Sequence, residues 1–149
     1  QMERFALQKR TVPAARFFSY LQKQFSETGD IKFSFGNPQN PAIHTDEDYL
    51  KTIMYNLTAN AVKALSKTQN ATIEWTAAKT ETGVVLIITD NGPGIKKEQL
   101  DALYNENTVV STRFGLGLHL IRDLAKAIHC KVEYETAPAG GARFLLVID

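Results

Sequence analysis

YNLTANAVKAL, residues 55–65, carries the spacing of an α-helix with two different sides. At 3.6 residues per turn, Asn56, Asn60 and Lys63 fall at i, i+4 and i+7, along one side of the cylinder. Ile53, Leu57, Ala61, Ala64 and Leu65 cluster on the adjoining arc and give the helix an apolar side to bury. The polar stripe then borders a cleft. Uncharged amide oxygens suit a hard divalent cation that keeps part of its water shell, and a neighbouring ammonium suits the phosphates that accompany such an ion. Together the three side chains fit a Mg²⁺–phosphate site.

Upstream of this helix, Thr45 with Asp48 three residues on has the form of a capping box, and the acids Asp46, Glu47 and Asp48 suit the positive end of a helix. The helix is therefore expected to start near Asp46 and to run to about Ser66. Before it, residues 42–44 read as a short strand, GNPQNP as a turn, and IKFSF (31–35) as an alternating strand. Residues 11–27, TVPAARFFSYLQKQFSE, place Pro13 in a first turn and Phe17, Phe18, Leu21 and Phe25 at helical spacing, which predicts an amphipathic helix.

Downstream, residues 71–77 and 84–89 are β-rich runs joined by a polar connection, the pattern of an antiparallel hairpin. The second run, VVLIIT, is continuously apolar and suits a strand covered on both faces or near the middle of a sheet. It leads directly into DNGPGI (90–95), so Asp90 is expected at the end of a buried strand. A short helix is predicted over 97–103, a loop without clear period over 104–114, and a second amphipathic helix from Leu116 through Leu120, Ile121, Leu124 and Ile128. Two closing strands, 131–136 and 142–148, bracket the turn PAGG. Hairpins rather than regular βαβ alternation carry most of the strands, which predicts an α+β sandwich with one sheet face covered by about three helices.

With 149 residues, 44% of them apolar, the chain can bury one substantial core and is short for two. A formal net charge of +1 with scattered basic residues leaves no basic face for nucleic acid. The single cysteine, Cys130, excludes an internal disulfide framework and a thiolate zinc site, and reads as a small buried side chain. His44, His119 and His129 are too scattered to form a metal cluster, and Trp75 reads as packing on its strand. No apolar run is long enough to span a membrane.

Taken singly, each motif has an ordinary explanation. A lone helical Asn or Lys is usually solvated, DNGPG is a turn, and a glycine pair before a helix is a start signal. Their chemistry nevertheless converges. A carboxylate at a pocket floor accepts from an exocyclic amine such as that of adenine, and Gly92 and Gly94 let backbone approach a flat base. The helix start after Gly115 presents free backbone donors to an anion, and Arg113 could clamp phosphate oxygens.

NLTANAVK, then DNGPGI, then GLGL opening a helix, then a GGARF strand, resembles in order and spacing the N, G1 and G2 boxes of the GHKL nucleotide-binding superfamily. Within it the likeness is to the catalytic, ATP-binding domain of bacterial sensor histidine kinases, and it covers the chain from about Thr11 onward. The resemblance implies a two-layer Bergerat fold, with a mixed, mostly antiparallel sheet and an ATP lid. Residues 1–10 would lead in from a dimerisation region, and residues 11–149 would form the catalytic domain. It further implies ATP and Mg²⁺ as ligands, Asn60 and Asn56 as metal ligands, and Lys63 as a phosphate contact. Asp90 would bind the adenine amino group, with Gly92, Gly94 and Ile95 shaping the base pocket. Arg113, Gly115, Leu116, Gly117 and Leu118 would belong to the lid and its hinge. Where hydrolytic relatives carry a glutamate general base, this chain has Asn56, and an amide cannot take the proton from water.

Several positions depart from the kinase pattern. Ala64 stands where an aromatic residue often flanks the base, Arg113 and Phe114 replace a glycine and a small polar residue, and Ala142 replaces a threonine or serine. A phosphoacceptor histidine followed by an acid is not among these residues. The expected function is therefore ATP binding and, with the dimerisation and phosphoacceptor helices of the same protein, γ-phosphoryl transfer to a histidine in two-component signal transduction. A response regulator would be an indirect partner. The domain alone is expected to be monomeric and cytoplasmic, with the parent protein open to anchoring in an inner membrane. A GHKL ATPase or switch domain, and a degenerate interaction module without turnover, are the alternatives.

Overall fold

The computed structural model describes residues 6–104 and 116–149. Its order is β1 (Lys9–Pro13), α1 (Ala14–Gln24), β2 (Lys32–Gly36), β3 (Ala42–Asp46), α2 (Glu47–Ala64), β4 (Thr72–Lys79), β5 (Val84–Asp90), α3 (Lys97–Tyr104), α4 (Leu116–Ala127), β6 (Cys130–Thr136) and β7 (Ala142–Ile148). Five strands form one mixed sheet in the order β2-β4-β5-β7-β6, and β1 pairs with β3 in a separate two-stranded ribbon. Only β2 runs parallel to its neighbour β4; the other pairs of the large sheet are antiparallel. The expected α+β sandwich is present.

The apolar run of β5 lies at the centre of the sheet, as its composition suggests. Its burial alternates, however: Val84, Leu86, Ile88 and Asp90 are buried, and Val85, Ile87 and Thr89 are half-exposed on the outer face. Cross-strand register puts Trp75 beside Ile88, Leu86 beside Leu146, and Ile88 beside Phe144, which makes one continuous apolar face for the helices. From α2, Leu50, Ile53, Met54, Leu57 and Ala61 bury against it; from α4, Leu118, Ile121, Leu124 and Ala125 do.

A buried hydrogen-bond chain pins α2 to this face. The Trp75 indole Nε1 donates to Thr58 Oγ1 at 2.9 Å, and that hydroxyl donates to the Met54 carbonyl at 2.7 Å. Both side chains are fully buried, so each polar atom is satisfied only by the other and by the helix backbone. Trp75 is thus the packing residue its strand position implies, and Cys130 is buried too, its thiol pushed up to about 12 by desolvation.

Three expectations need correction. The predicted helix over 11–27 is shorter and starts later, because Thr11 and Val12 pair with His44 and Ile43 and Val12 is buried there. Pro13 is its N-cap rather than part of its first turn. The cap of α2 is Asp46, not Thr45: Asp46 Oδ1 accepts from Asp48 N at 3.1 Å and Tyr49 N at 3.2 Å, while its Oδ2 accepts from Gln8 N at 2.9 Å. Thr45 stays in β3 opposite Arg10, which moves the helix start on by one residue. Ala64, assigned to the apolar arc, is exposed at the end of α2.

Replacing Thr58 with Val keeps the volume and removes both halves of the buried chain. Thr58→Val is expected to destabilise the domain by about 1–3 kcal/mol, the cost of an unsatisfied buried indole N–H. Urea unfolding followed by Trp75 fluorescence measures it.

Candidate functional site

A narrow cleft opens where the last turns of α2 meet the end of β5. Leu57, Asn60, Ala61 and Ala64 line it from the helix, Ile88, Asp90, Ala142 and Phe144 from the sheet, and Gly94 and Ile95 from the loop after β5. Walls of this kind accept a flat apolar ring, and the polar groups are few and placed at the ends.

Asp90 is the floor of the cleft and is only 7% exposed. Its Oδ1 accepts from Gly92 N at 2.9 Å and from Ala142 N at 3.3 Å. No described residue donates to Oδ2. Burial raises the carboxyl above its ordinary range, and the two backbone donors pull it back only in part. A desolvated carboxylate with one oxygen pinned and the other open is a fixed acceptor for an N–H donor entering the cleft.

Glycines make this possible. Gly94 has φ +86°, a left-handed conformation, and a Cβ on it would meet the Gly140 carbonyl at 3.4 Å. A Cβ on Gly141 would collide with the Asp90 carbonyl oxygen. The turn before β7 is thus wedged against the backbone of Asp90, and this is what brings Ala142 N within reach of the carboxylate. Asn91 fastens the same corner from the other side: its Oδ1 accepts from Thr72 N at 2.8 Å and its Nδ2 donates to Asn70 O at 2.9 Å. Neither role is visible in the spacing of the motifs, although GG before the last strand is its one sequence trace.

Of the sequence-predicted residues, the structure brings Asn60, Asp90, Gly94 and Ile95 into one cleft. Gly92 stands beside it, where a Cβ would come within 3.1 Å of Leu65 and 3.2 Å of Asp90 Oδ1. Gly117 joins through Asn60, since a Cβ on it would lie 3.2 Å from Asn60 Nδ2. The first turn of α4 therefore packs directly on the Asn60 carboxamide. Asn56 lies one turn earlier, half-buried and outside the cleft lining, with Nδ2 donating to Thr52 O at 2.7 Å. That bond leaves Oδ1 as the available end. Lys63 is exposed near the end of α2, and the Leu118 side chain is buried in the core rather than in the cleft. Arg113 and Gly115 lie outside the described residues, and so does the Leu116 side chain. Among the described residues no group of three His, Cys, Asp or Glu side chains could hold a metal ion. The oxygen donors near the cleft are amides and one carboxylate.

Residues 45–149 match the model of the histidine kinase-, DNA gyrase B- and HSP90-like ATPases, which is most of the chain. The chain belongs to that family. Within it the likeness is to sensor histidine kinases: the chain is 30% identical over 128 residues to the sensor histidine kinase ZraS of Escherichia coli O157:H7, an alignment covering 85% of this chain and 28% of ZraS. The chain thus spans under a third of that relative. Among solved structures, the nucleotide-free catalytic domain of the histidine kinase ThkA superposes with a TM-score of 0.80 at 22% identity, covering 95% of this chain and 97% of that one. Full-length ShkA in complex with AMPPNP gives 0.76 at 24% identity over 95% of this chain and 31% of ShkA. The fold is that of a histidine kinase catalytic domain, and the sequence-stretch resemblance to it holds. No described helix is long and apolar enough to cross a membrane.

Two outcomes follow from the wedge and the buried carboxyl. Gly141→Ala is expected to cost about 1–3 kcal/mol of stability by overpacking against the Asp90 backbone, measured by thermal unfolding. Because the folded Asp90 binds its proton more tightly than the unfolded chain does, its contribution to stability falls as pH rises from the ordinary Asp range through the raised value. Asp90→Asn removes that term. The variant should be more stable than the parent at neutral pH, with the gain vanishing below the ordinary Asp range, as read by denaturant unfolding at several pH values.

Proposed function

We propose that this domain binds Mg-ATP and, joined to the dimerisation and phosphoacceptor helices of its parent protein, transfers the γ-phosphoryl group to a histidine there. The observation that carries the reading is Asp90: buried, pinned through Oδ1, and open at Oδ2 beneath an apolar slot. That is an acceptor for the exocyclic amine of adenine, with Ile88, Ile95 and Phe144 as apolar surface for the ring.

From this floor the triphosphate would run along α2 toward Asn60. The Asn60 and Asn56 amide oxygens suit Mg²⁺, which prefers hard oxygen donors and shares its shell with phosphate and water. When bound, the ion would neutralise charge on the phosphates. Lys63, exposed one turn beyond Asn60, is free to reach phosphate oxygens, and the N-terminal turn of α4 lies beside Asn60, where the backbone N–H groups of a helix start suit an anion. Phosphoryl transfer of this kind rests on positioning and charge stabilisation. The bond from phosphorus to the β–γ bridging oxygen breaks as the bond to the histidine nitrogen forms. The nucleophile comes from outside residues 11–149, and an Asn at position 56 offers no base to activate water. The isolated domain is accordingly a nucleotide binder with little turnover, and the partner regulator enters only after the histidine is phosphorylated.

Calorimetric titration with a non-hydrolysable ATP analogue, with and without Mg²⁺, tests this. Saturable binding is expected, strengthened by Mg²⁺ and weakened at least about tenfold in Asp90→Asn, where an amide N–H competes for the acceptor position. Asn60→Ala should abolish the Mg²⁺ dependence while leaving Mg-free binding. Absence of binding at millimolar analogue by the folded protein, or rapid phosphate release abolished by Asn56→Ala, would overturn the kinase reading.

A further inference from the structure

We propose that Tyr134 is a positioning residue for the nucleobase end of the cleft, acting through the backbone of Ile95 and braced from behind by Tyr104. The proposal rests on the nucleotide-binding reading above and extends it to residues outside the three motifs.

Ile95 is part of the cleft wall, and its backbone N–H donates to the Tyr134 hydroxyl at 3.3 Å. A Cβ on Gly94 would lie 3.7 Å from the same hydroxyl. The phenol oxygen thus sits behind the turn that forms the wall. It is carried there by β6, the edge strand beside β7 and two positions from β5, whose end leads into the wall. The Tyr134 ring is set by Phe144, with centroids 5.2 Å apart at 62°, and Phe144 itself lines the cleft. One side chain therefore touches the loop side of the cleft through a hydrogen bond and its sheet side through an aromatic contact, without lining it.

The edge position of β6 would leave the Tyr134 N–H facing solvent. Instead it donates to the Tyr104 hydroxyl at 2.7 Å. Tyr104 is the last residue of α3 and 57% exposed, so packing does not account for its placement. The pair makes a path from α3 to the β6 backbone to the wall of the cleft. Its effect is to hold Ile95 at a fixed distance from Asp90, so that a ring bound to Asp90 is gripped rather than loosely covered. Positioning of this sort is sensitive to displacements of about 1 Å.

Tyr134→Phe keeps the ring and its contact with Phe144 and deletes the acceptor. The test titrates parent and Tyr134→Phe with AMPPNP and with adenosine, and follows amide exchange at Ile95 by NMR. Expected are faster exchange at Ile95 and affinities about two- to tenfold weaker, the range of one neutral hydrogen bond. The factor should be the same for both ligands, because the wall acts on the base. A purely structural role would lower the thermal midpoint without moving the affinities of the folded protein. Tyr104→Phe, which leaves Tyr134 intact, should speed exchange at the Tyr134 amide and weaken both ligands in the same direction, so the proposal stands or falls even if Tyr134→Phe does not fold. Unchanged affinities in the variants, or a loss confined to AMPPNP, would overturn the proposal while leaving the nucleotide reading intact. A parent that binds neither ligand would overturn both.

Discussion

The carboxylate of Asp90, buried at the end of the central strand with one oxygen bonded and no described donor to the other, is the constraint around which the surrounding structure is arranged. An isolated buried carboxylate is costly, and Asp90 is tolerated because Gly92 N and Ala142 N both donate to one of its oxygens. The first donor comes from its own turn. The second comes from β7, and reaches it only because Gly141 lets two backbones meet without a side chain between them. Strand order, the turn before β7 and the conformation of Gly94 thus answer to the same requirement.

The helix layer answers to a second one. On the proposed nucleotide reading the polar residues of the cleft belong on a rigid element, and α2 is held at its N-terminal end and again in its second half. Asp46 caps it and also binds Gln8 N, Glu47 in its first turn pairs with Arg16 at 2.8 Å and Lys51 at 3.0 Å, and Thr58 locks it to Trp75. Asn60 lies between the Trp75 lock and the end of the helix. Its position relative to Asp90 is therefore set by core packing and by the buried Trp75–Thr58 bond rather than by loop conformation.

Much of this was legible in the chain because it is periodic. The amide stripe of α2, the apolar run of β5 and the two closing strands each repeat a simple pattern over two or more turns or residues pairs, and they lie where those patterns put them. The failures are where a distant partner decides. Residues 9–13 carry Thr, Val and Pro, which serve as well before a helix as in a strand. Only pairing with residues 42–46 makes them β1. That same pairing keeps Thr45 extended and hands the cap to Asp46, both being good cap residues by type. The parallel β2–β4 pair follows from a crossover through β3 and α2, and local alternation carries no information about direction.

The site shows the same division more sharply. Asn60, Asp90, Gly94 and Ile95 were readable as a set because they belong to motifs of fixed spacing. Gly141, Asn91 and Tyr134 were not, since each acts through an approach between segments far apart in the chain. Asp90 and Gly141 are separated in the chain by α3, α4 and β6, yet a single methyl group on the latter would drive into the backbone of the former. Tyr134 lies 39 residues from the amide it receives. Motifs thus name the groups that line the cleft, whereas the residues that fix the distances between those groups are scattered over the elements behind them. A chain can retain every motif and still lose its pocket through substitutions at these supporting positions, so intact motifs are a necessary but insufficient sign of a working site.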